Sequence, residues 1–514
     1  NYEGLEEVDC SGKYVAPGFI DSHLHFESTL ANPRELVHYA SLSGTTTFIA
    51  DPHEAANVAG IKGIDYILDQ TEDASGDVYI MAPSCVPCKD GEDTGCLMEA
   101  KDLRYLLDKP RILGLGEVMD ERAVIGLESR MMDKLELFEN RVKDGHAISI
   151  EGKELAAYAM AGILTDHEST DYKYAMMKVR NGMYVHIREG SAARNLEAIV
   201  RGIVDTDVSR FTFCTDDKHI EDIQREGHIS HNVRKAIRLG LDPLAAYKMA
   251  TLNPAQCYGL DHLGMIGVGK KANLIILNDM ETVDIDRVMY GGRFIDQIYD
   301  GNKGKVDPDL LNSLHIDWFK KEMLAYKSSR HAIGMIEGEI LTKLVDLDNY
   351  ELENKDLGNK RDQDSENCDL GQTISKVAVI ERHHNTGNYH VAKVMGYNIK
   401  NGAVASSVSH DSHNVIVLGD NDRDMMLAIE KLKEIRGGYV LVEDGHVFGA
   451  LPLPVMGLIS DLDSGRMNER AHQMGVPRGI EPFIALSFIA LPVIPEIRIR
   501  TRGLYDVLGD RYLD

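Results

Sequence analysis

Long apolar runs are missing from this chain. No stretch of about 18 apolar residues occurs, which argues against a membrane-spanning helix. Cysteine is sparse: seven in 514 residues, an odd number without framework spacing. That excludes a small disulfide-stapled secreted fold and makes a reducing, cytoplasmic setting the expectation. Positive charge is in deficit, with 56 Lys and Arg against 82 Asp and Glu and a formal net charge of −26. Nucleic acids and anionic membranes want clustered Lys and Arg, so neither partner is expected; a small neutral or cationic substrate fits better. The chain starts at Asn1 with neither Met nor a signal-like apolar segment, and it reads as trimmed, with something upstream missing.

What is present is enough apolar material, 43%, for a sizeable core, on a length that suggests two or three domains. Between Gly18 and about Lys218 short apolar runs alternate with stretches able to cross back. The strand candidates are "GFIDSHLH" (Gly18–His25), "TTTFIADP" (Thr45–Pro52), "VYIMAPSCVP" (Val78–Pro87) and "ILGLGEVM" (Ile112–Met119). They continue with "HAISIEG" (His146–Gly152), "GILTDHES" (Gly162–Ser169), "MYVHIREGS" (Met183–Ser191) and "RFTFCTDDKH" (Arg210–His219). Eight strands with crossovers predict an α/β fold, a (β/α)8 TIM-like barrel over residues 18–255. Residues 1–17 and the strands in 256–310 predict a small β-sandwich beside it. A connecting segment, 311–370, contains the polar stretch Asp346–Asp369 and reads as a linker. Residues 371–514 are expected to form a C-terminal α+β domain.

In such barrels chemistry sits at the C-terminal ends of strands, where this chain puts its polar residues. Strand one ends with His23 and His25, which alternation sends to one side. Strand four ends with Glu117, strand five carries His146, strand six His167 and strand eight Asp216. Singly, each has a bland reading: a hydrogen-bonded core histidine, a buried ion-pair partner, or a helix cap in "TDDKH". Six together at successive strand ends fit metal ligands better. Imidazole and carboxylate suit Zn, Mn or Fe, and four histidines with two carboxylates can hold two divalent ions. Coordination lowers the pKa of a bound water from 15.7 toward about 7. Glu27, His53 and Glu54 lie near the same barrel mouth, as supporting partners or holders of a further ion. "H-x-E" at His25 and Glu27, with Cys85 and Cys88 later, mimics the zinc nucleobase deaminase signature. The proline before Cys85 is one residue too far away, and that reading leaves Glu117, His146, His167 and Asp216 unexplained.

"PGFIDSHLH" resembles the first-strand signature of the amidohydrolase superfamily. "HFEST", "ADPHEAANV", "TDHEST", "MYVHIREGSAARNLEAI", "FCTDDKH" and "GHISHNVRKAI", then "VIERHHNTGN", "ASSVSHDSHN" and "SFIALPVIPEI", resemble the adenine deaminases over nearly the whole chain. One departure follows "DGHA", where Ile148 and Ser149 replace the family's Pro-Gly. The resemblance implies hydrolytic deamination of adenine to hypoxanthine and ammonia, with two ions, Mn2+ or Fe2+ ahead of Zn2+. It implies a proton-shuttling Asp216 that is also a ligand. Glu189 is the candidate for protonating purine N1, against a salt bridge with Arg188 as its plain alternative, and Ser191 and His219 are candidates for purine contact. Purine salvage and a homo-oligomer, expected to be a dimer, complete the reading. An N-acyl sugar deacetylase, which also uses a strand-four glutamate, is the rival activity, and a non-catalytic amidohydrolase-like scaffold the rival class. The later cluster Glu381, His383, His384, His410, Asp411 and His413 is read as a site lid or, in preference, as structural hydrogen bonding.

Overall fold

A computed structural model describes residues 7–191, 193–298, 305–326, 329–337, 341–348, 374–460 and 465–513. Most of the polar stretch Asp346–Asp369 therefore lies outside the described residues. The chain divides into two compact units. The first is built from Asn1–His53, Asp65–Cys85 and Met98–Lys305, and the second from Glu54–Ile64, Val86–Leu97 and Val306–Asp514. Two short segments of the N-terminal half thus belong with the C-terminal unit, a division the sequence boundaries do not make.

In the first unit β1 (Tyr14–Pro17) precedes eight parallel strands: β2 (Phe19–Leu24), β3 (Thr45–Ala50), β4 (Asp77–Ala82), β5 (Ile112–Val118), β6 (Val142–Gly145), β7 (Thr165–Asp166), β8 (Tyr184–Arg188) and β9 (Phe211–Cys214). The ladders run in order from β2 to β6 and from β7 to β9. A parallel bridge between Leu24 and Asp216 joins the last strand to the first. Two backbone bonds reinforce it, from Asp216 N–H to the His23 carbonyl (3.0 Å) and from His25 N–H to the Asp216 carbonyl (3.3 Å). The result is a (β/α)8 barrel. The β2 run Phe19 to Leu24 is buried on both faces, as a barrel strand covered by helices must be. Outside the strands Val185, Ile187, Phe211 and Phe213 pack with Leu196, Ile199 and Val200 of helix Leu196–Ile203 and with Ile229 and Val233 of helix Ile229–Arg238. Apolar residues at spacings of three and four put those side chains on one helical stripe.

The fifth barrel strand corrects the reading of "HAISIEG". The strand is Val142–Gly145, and His146 follows it. The charged look of "RVKDG" hid it, although Lys143 and Asp144 are both buried. Residues 146–148 are loop instead, their N–H groups bonded to Tyr158 Oη, Asp166 Oδ1 and Glu121 Oε1. Beside the barrel, β1 pairs with β10 (Leu274–Asp279), which continues antiparallel into β11 (Asp284–Tyr290) and β12 (Arg293–Phe294).

The second unit holds a mixed eight-stranded sheet of β13 (His331–Met335), β14 (Thr342–Asp346), β15 (Ser375–Ile380), β16 (Tyr389–Met395), β17 (Gly402–Ser406), β18 (Val415–Gly419), β19 (Gly438–Glu443) and β20 (His446–Pro452). Helix Asp422–Glu434, capped by the Asn421 side chain, lays Met425, Ala428, Ile429 and Leu432 against Val415, Val417, Val440 and Val442. A small sheet of β21 (Ile497–Arg500), β22 (Gly503–Asp506) and β23 (Arg511–Tyr512) completes it. No described helix is long and apolar enough to cross a membrane, and the six described cysteines are free thiols.

Candidate metal centre

The barrel closure places the two ends of the strand series side by side. His23 and His25 leave β2 on one face, and their Nε2 atoms stand 3.1 Å apart. His25 is oriented from behind by its Nδ1, 2.8 Å from the Asp51 carbonyl. Asp216 sits at φ 57°, in the left-handed region, which Asp tolerates better than most residues. Its backbone bonds to strand one hold it there, and its Oδ1 lies 3.5 Å from His23 Nε2 and 3.3 Å from His25 Nε2.

Glu117 stands between two sets of histidines. Its Oε1 is 3.3 Å from His25 Nε2, 3.9 Å from His23 Nε2 and 3.3 Å from His53 Nδ1. Its Oε2 faces the other way, 3.3 Å from His167 Nε2 and 3.9 Å from His146 Nε2. The Asp51 carboxylate fixes this pose by accepting the Glu117 N–H at 2.8 Å. That approach requires a glycine at 116, where a Cβ would come within 2.2 Å of Asp51 Oδ2. The rings of His146 and His167 stand edge to face at 5.3 Å, and His167 stacks on His23 at 4.0 Å.

All six residues are buried. Four imidazoles packed around two carboxylates cost desolvation unless something joins them. Donors about 2.1 Å from one ion, at angles between square and tetrahedral, lie about 3.0–3.4 Å apart, and the closest spacings here fall at or near that range. Among the described residues the Nδ1 atoms of His146 and His167 have no hydrogen-bond partner, and Glu117 Oε2 has none beyond its 3.3 Å approach to His167 Nε2. The donor set therefore fits divalent metal, with Glu117 offering one oxygen to each side.

Burial would raise Asp216, but the Arg188 guanidinium and bonds to His23 and His25 hold its carboxyl well below the usual carboxylate range. Burial would likewise raise Glu117, and His167 and His25 outweigh it and hold Glu117 well down. His25 moves oppositely: burial would lower it, yet Asp216 and Glu117 lift it well above an ordinary imidazole.

Other expected residues fall elsewhere. His53 packs against His25, ring centroids 4.6 Å apart. Glu27 is buried in the turn after β2. The Ser191 hydroxyl donates to Asp222 and accepts the His219 N–H at 3.0 Å, which ties the loops after β8 and β9 together. Glu189 is turned away from the histidines: its carboxylate meets Lys235 at 2.6 Å and Arg194 and His231 at 3.7 Å. The carboxylate that faces them is Glu168, 3.5 Å from both His146 Nε2 and His167 Nε2. It is paired with Arg188, which also donates to Asp216 Oδ2 at 2.8 Å. Alternation along β8 carried the signal, since His186 and Arg188 share the inward face and Glu189 falls on the other.

The second unit's polar cluster has its own account. Glu381 accepts the N–H groups of His383, His384 and Thr386, and His383 Nε2 lies 2.7 Å from the Ser412 carbonyl. Glu54, His410 and His413 also gather there. His413 Nδ1 accepts the Ser409 N–H at 3.1 Å, and its Nε2 lies 3.5 Å from Glu54 Oε2.

Residues 14–295, which hold this barrel, match the amidohydrolase family. Residues 353–510 match the adenine deaminase C-terminal domain. An adenine deaminase of Desulfitobacterium hafniense is 50% identical over 525 residues, covering 100% of this chain and 90% of the relative. The adenine deaminases of Clostridium acetobutylicum and Bacillus pumilus are 40% and 38% identical, each covering 100% of this chain and 91% and 90% of the relative. The chain belongs to the adenine deaminase family.

Proposed function

We propose that this protein hydrolyses adenine to hypoxanthine and ammonia with two divalent ions held by His23, His25, Glu117, His146, His167 and Asp216. The observation that carries the two-ion reading is Glu117, whose two oxygens face two separate histidine sets. Bound ions supply a Lewis acid and a water of lowered pKa, and the donor types suit Mn2+ or Fe2+, with Zn2+ also compatible.

The chain's own groups then move protons. Asp216 faces the ion side through Oδ1 and is fixed through Oδ2 by Arg188, so it can take a proton from the attacking water and give it to the departing nitrogen. Glu168, ahead of Glu189, is the group proposed to serve ring nitrogen N1, because it stands against His146 and His167; both carboxylates are paired with a cation, Glu168 with Arg188 and Glu189 with Lys235. One proton of the water ends on N1 through Glu168 and the other on ammonia through Asp216, and C6 exchanges nitrogen for oxygen. Ser191 and His219 are the proposed purine contacts, with Glu27 and His53 supporting the His25 side. Purine salvage, a cytoplasmic location and a homodimer belong to the same reading. Its test is ammonia release by metal-free protein given Mn2+, Fe2+ or Zn2+, with adenine, adenosine and N-acetylglucosamine 6-phosphate in parallel. Release from adenine alone supports the proposal; cleavage of the acetyl sugar without adenine turnover overturns it.

A further inference from the structure

The barrel's ladder thins between β6 and β7. Hydrogen-bonded pairing runs from β2 to β6 and resumes from β7 to β9, and β7 is only two residues long. His146 and His167 stand on opposite sides of this seam, just past the ends of β6 and β7. One backbone bond crosses it, from the Leu164 N–H to the Lys143 carbonyl at 2.9 Å, three residues before each histidine, so backbone pairing alone does little to fix the two side chains proposed to meet on one ion.

Side chains do this instead. Asp166 Oδ1 accepts the N–H of Ala147, the residue after His146, at 2.8 Å. Its Oδ2 accepts the N–H of Glu168, the residue after His167, at 3.0 Å, and the Ser169 hydroxyl at 3.2 Å. One carboxylate thus grips the backbone directly beyond both histidines. Lys178 closes the grip: its Nζ pairs with Asp166 and donates to the Ala147 carbonyl at 2.7 Å. It reaches there because helix Tyr172–Arg180 turns Tyr174, Ala175 and Lys178 inward together, as spacings of three and four require. The ammonium lies 4.0 Å over the Tyr174 ring, and the Tyr174 hydroxyl also donates to the Ala147 carbonyl at 3.1 Å. Lys178 and Asp166 are both fully buried, at 0% exposure, where a lysine is almost never found without a partner.

We infer that Asp166 and Lys178 are positioning residues that lock the β6–β7 seam and so set the bite of His146 and His167 on one of the two ions, an inference that rests on the two-ion reading above. Neither residue reaches the reacting atoms. Partners that orient ligands typically change metal affinity by about 10–100-fold when removed, and here the change falls on one ion alone.

The test is a stepwise Mn2+ titration of metal-free protein, counting retained ions after desalting and recording thermal melting and ammonia release. Lys178→Met removes the ammonium with little change of volume. The double variant Asp166→Asn/Lys178→Met removes both charges and guards against misfolding from an unpaired buried carboxylate. The expected result is one ion held as tightly as in the unmodified protein and a second that needs about 10–100-fold more free Mn2+. Excess Mn2+ restores ammonia release, and the single-ion pattern matches His167→Asn rather than His23→Asn. Two ions retained with unchanged affinity in both variants, or both weakened in parallel with melting, would overturn the lock. Fewer than two ions on the unmodified protein would instead overturn the two-ion reading beneath it.

Discussion

Replacing Arg188 by Met isolates the electrostatics of the two carboxylates proposed to move protons. Arg188 donates to Asp216 Oδ2 at 2.8 Å and through Nη2 to Glu168 Oε2 at 3.0 Å, in a buried site. Unit charges about 4 Å apart at an effective dielectric of about 20 interact by roughly 4 kcal/mol, or about three pKa units at 1.36 kcal/mol each. Sharing between two carboxylates, and the positive field of bound ions, reduce this for Asp216. The sign follows from which form the cation favours. Arg188 stabilises ionised Asp216 against burial, so its loss raises the Asp216 pKa, and the basic form persists only at higher pH. The acid limb of kcat/KM, measured by ammonia release from about pH 3 upward, moves to higher pH. Stability falls too, by about 3–5 kcal/mol, because two buried carboxylates lose their partner. A rate lowered equally at every pH, with the acid limb unmoved, refutes this role for Arg188.

Glu117→Gln removes the charge shared by both histidine sets; the expected loss is at least about 100-fold in metal affinity, read by metal content after dialysis, and near-complete loss of turnover. Glu168→Gln lowers kcat by about 10²–10⁴-fold, whereas Glu189→Gln lowers the melting temperature and leaves kcat within about threefold; steady-state kinetics with thermal melting separate them, and the reverse ranking restores Glu189. Because His25 is held protonated well above the ordinary imidazole range in the metal-free protein, an incoming ion must displace that proton. Mn2+ affinity therefore rises by about tenfold per pH unit below the raised His25 value, checked by competition titrations at pH 6, 7 and 8, and a pH-independent affinity contradicts it.

Much of the site was legible because its ligands sit at strand ends, where alternation and the barrel rule both speak. His23 and His25 follow from period two in β2, and Glu117 and Asp216 from the ends of runs whose apolar residues are unmistakable. Glu168 and the Asp166–Lys178 pair were not legible in the same way. Their function depends on β7 being two residues long and on a helical lysine turned inward, and both arise from packing across the seam rather than from local pattern. The β6 strand was misplaced because buried Lys143 and Asp144 look like loop residues until Asp144 is seen accepting from Thr165 and Tyr258. The assignment of Glu54–Ile64 and Val86–Leu97 to the second unit has no local signal, since only long-range contacts define it.

The central claim is that two ions on one shared glutamate make this chain turn over adenine. It is tested most directly by measuring ammonia release from adenine at metal stoichiometries from zero upward. The account predicts no activity without metal, little with one equivalent per chain, and full activity at about two. Full activity at one equivalent, or two tightly bound ions with no adenine turnover, would contradict it.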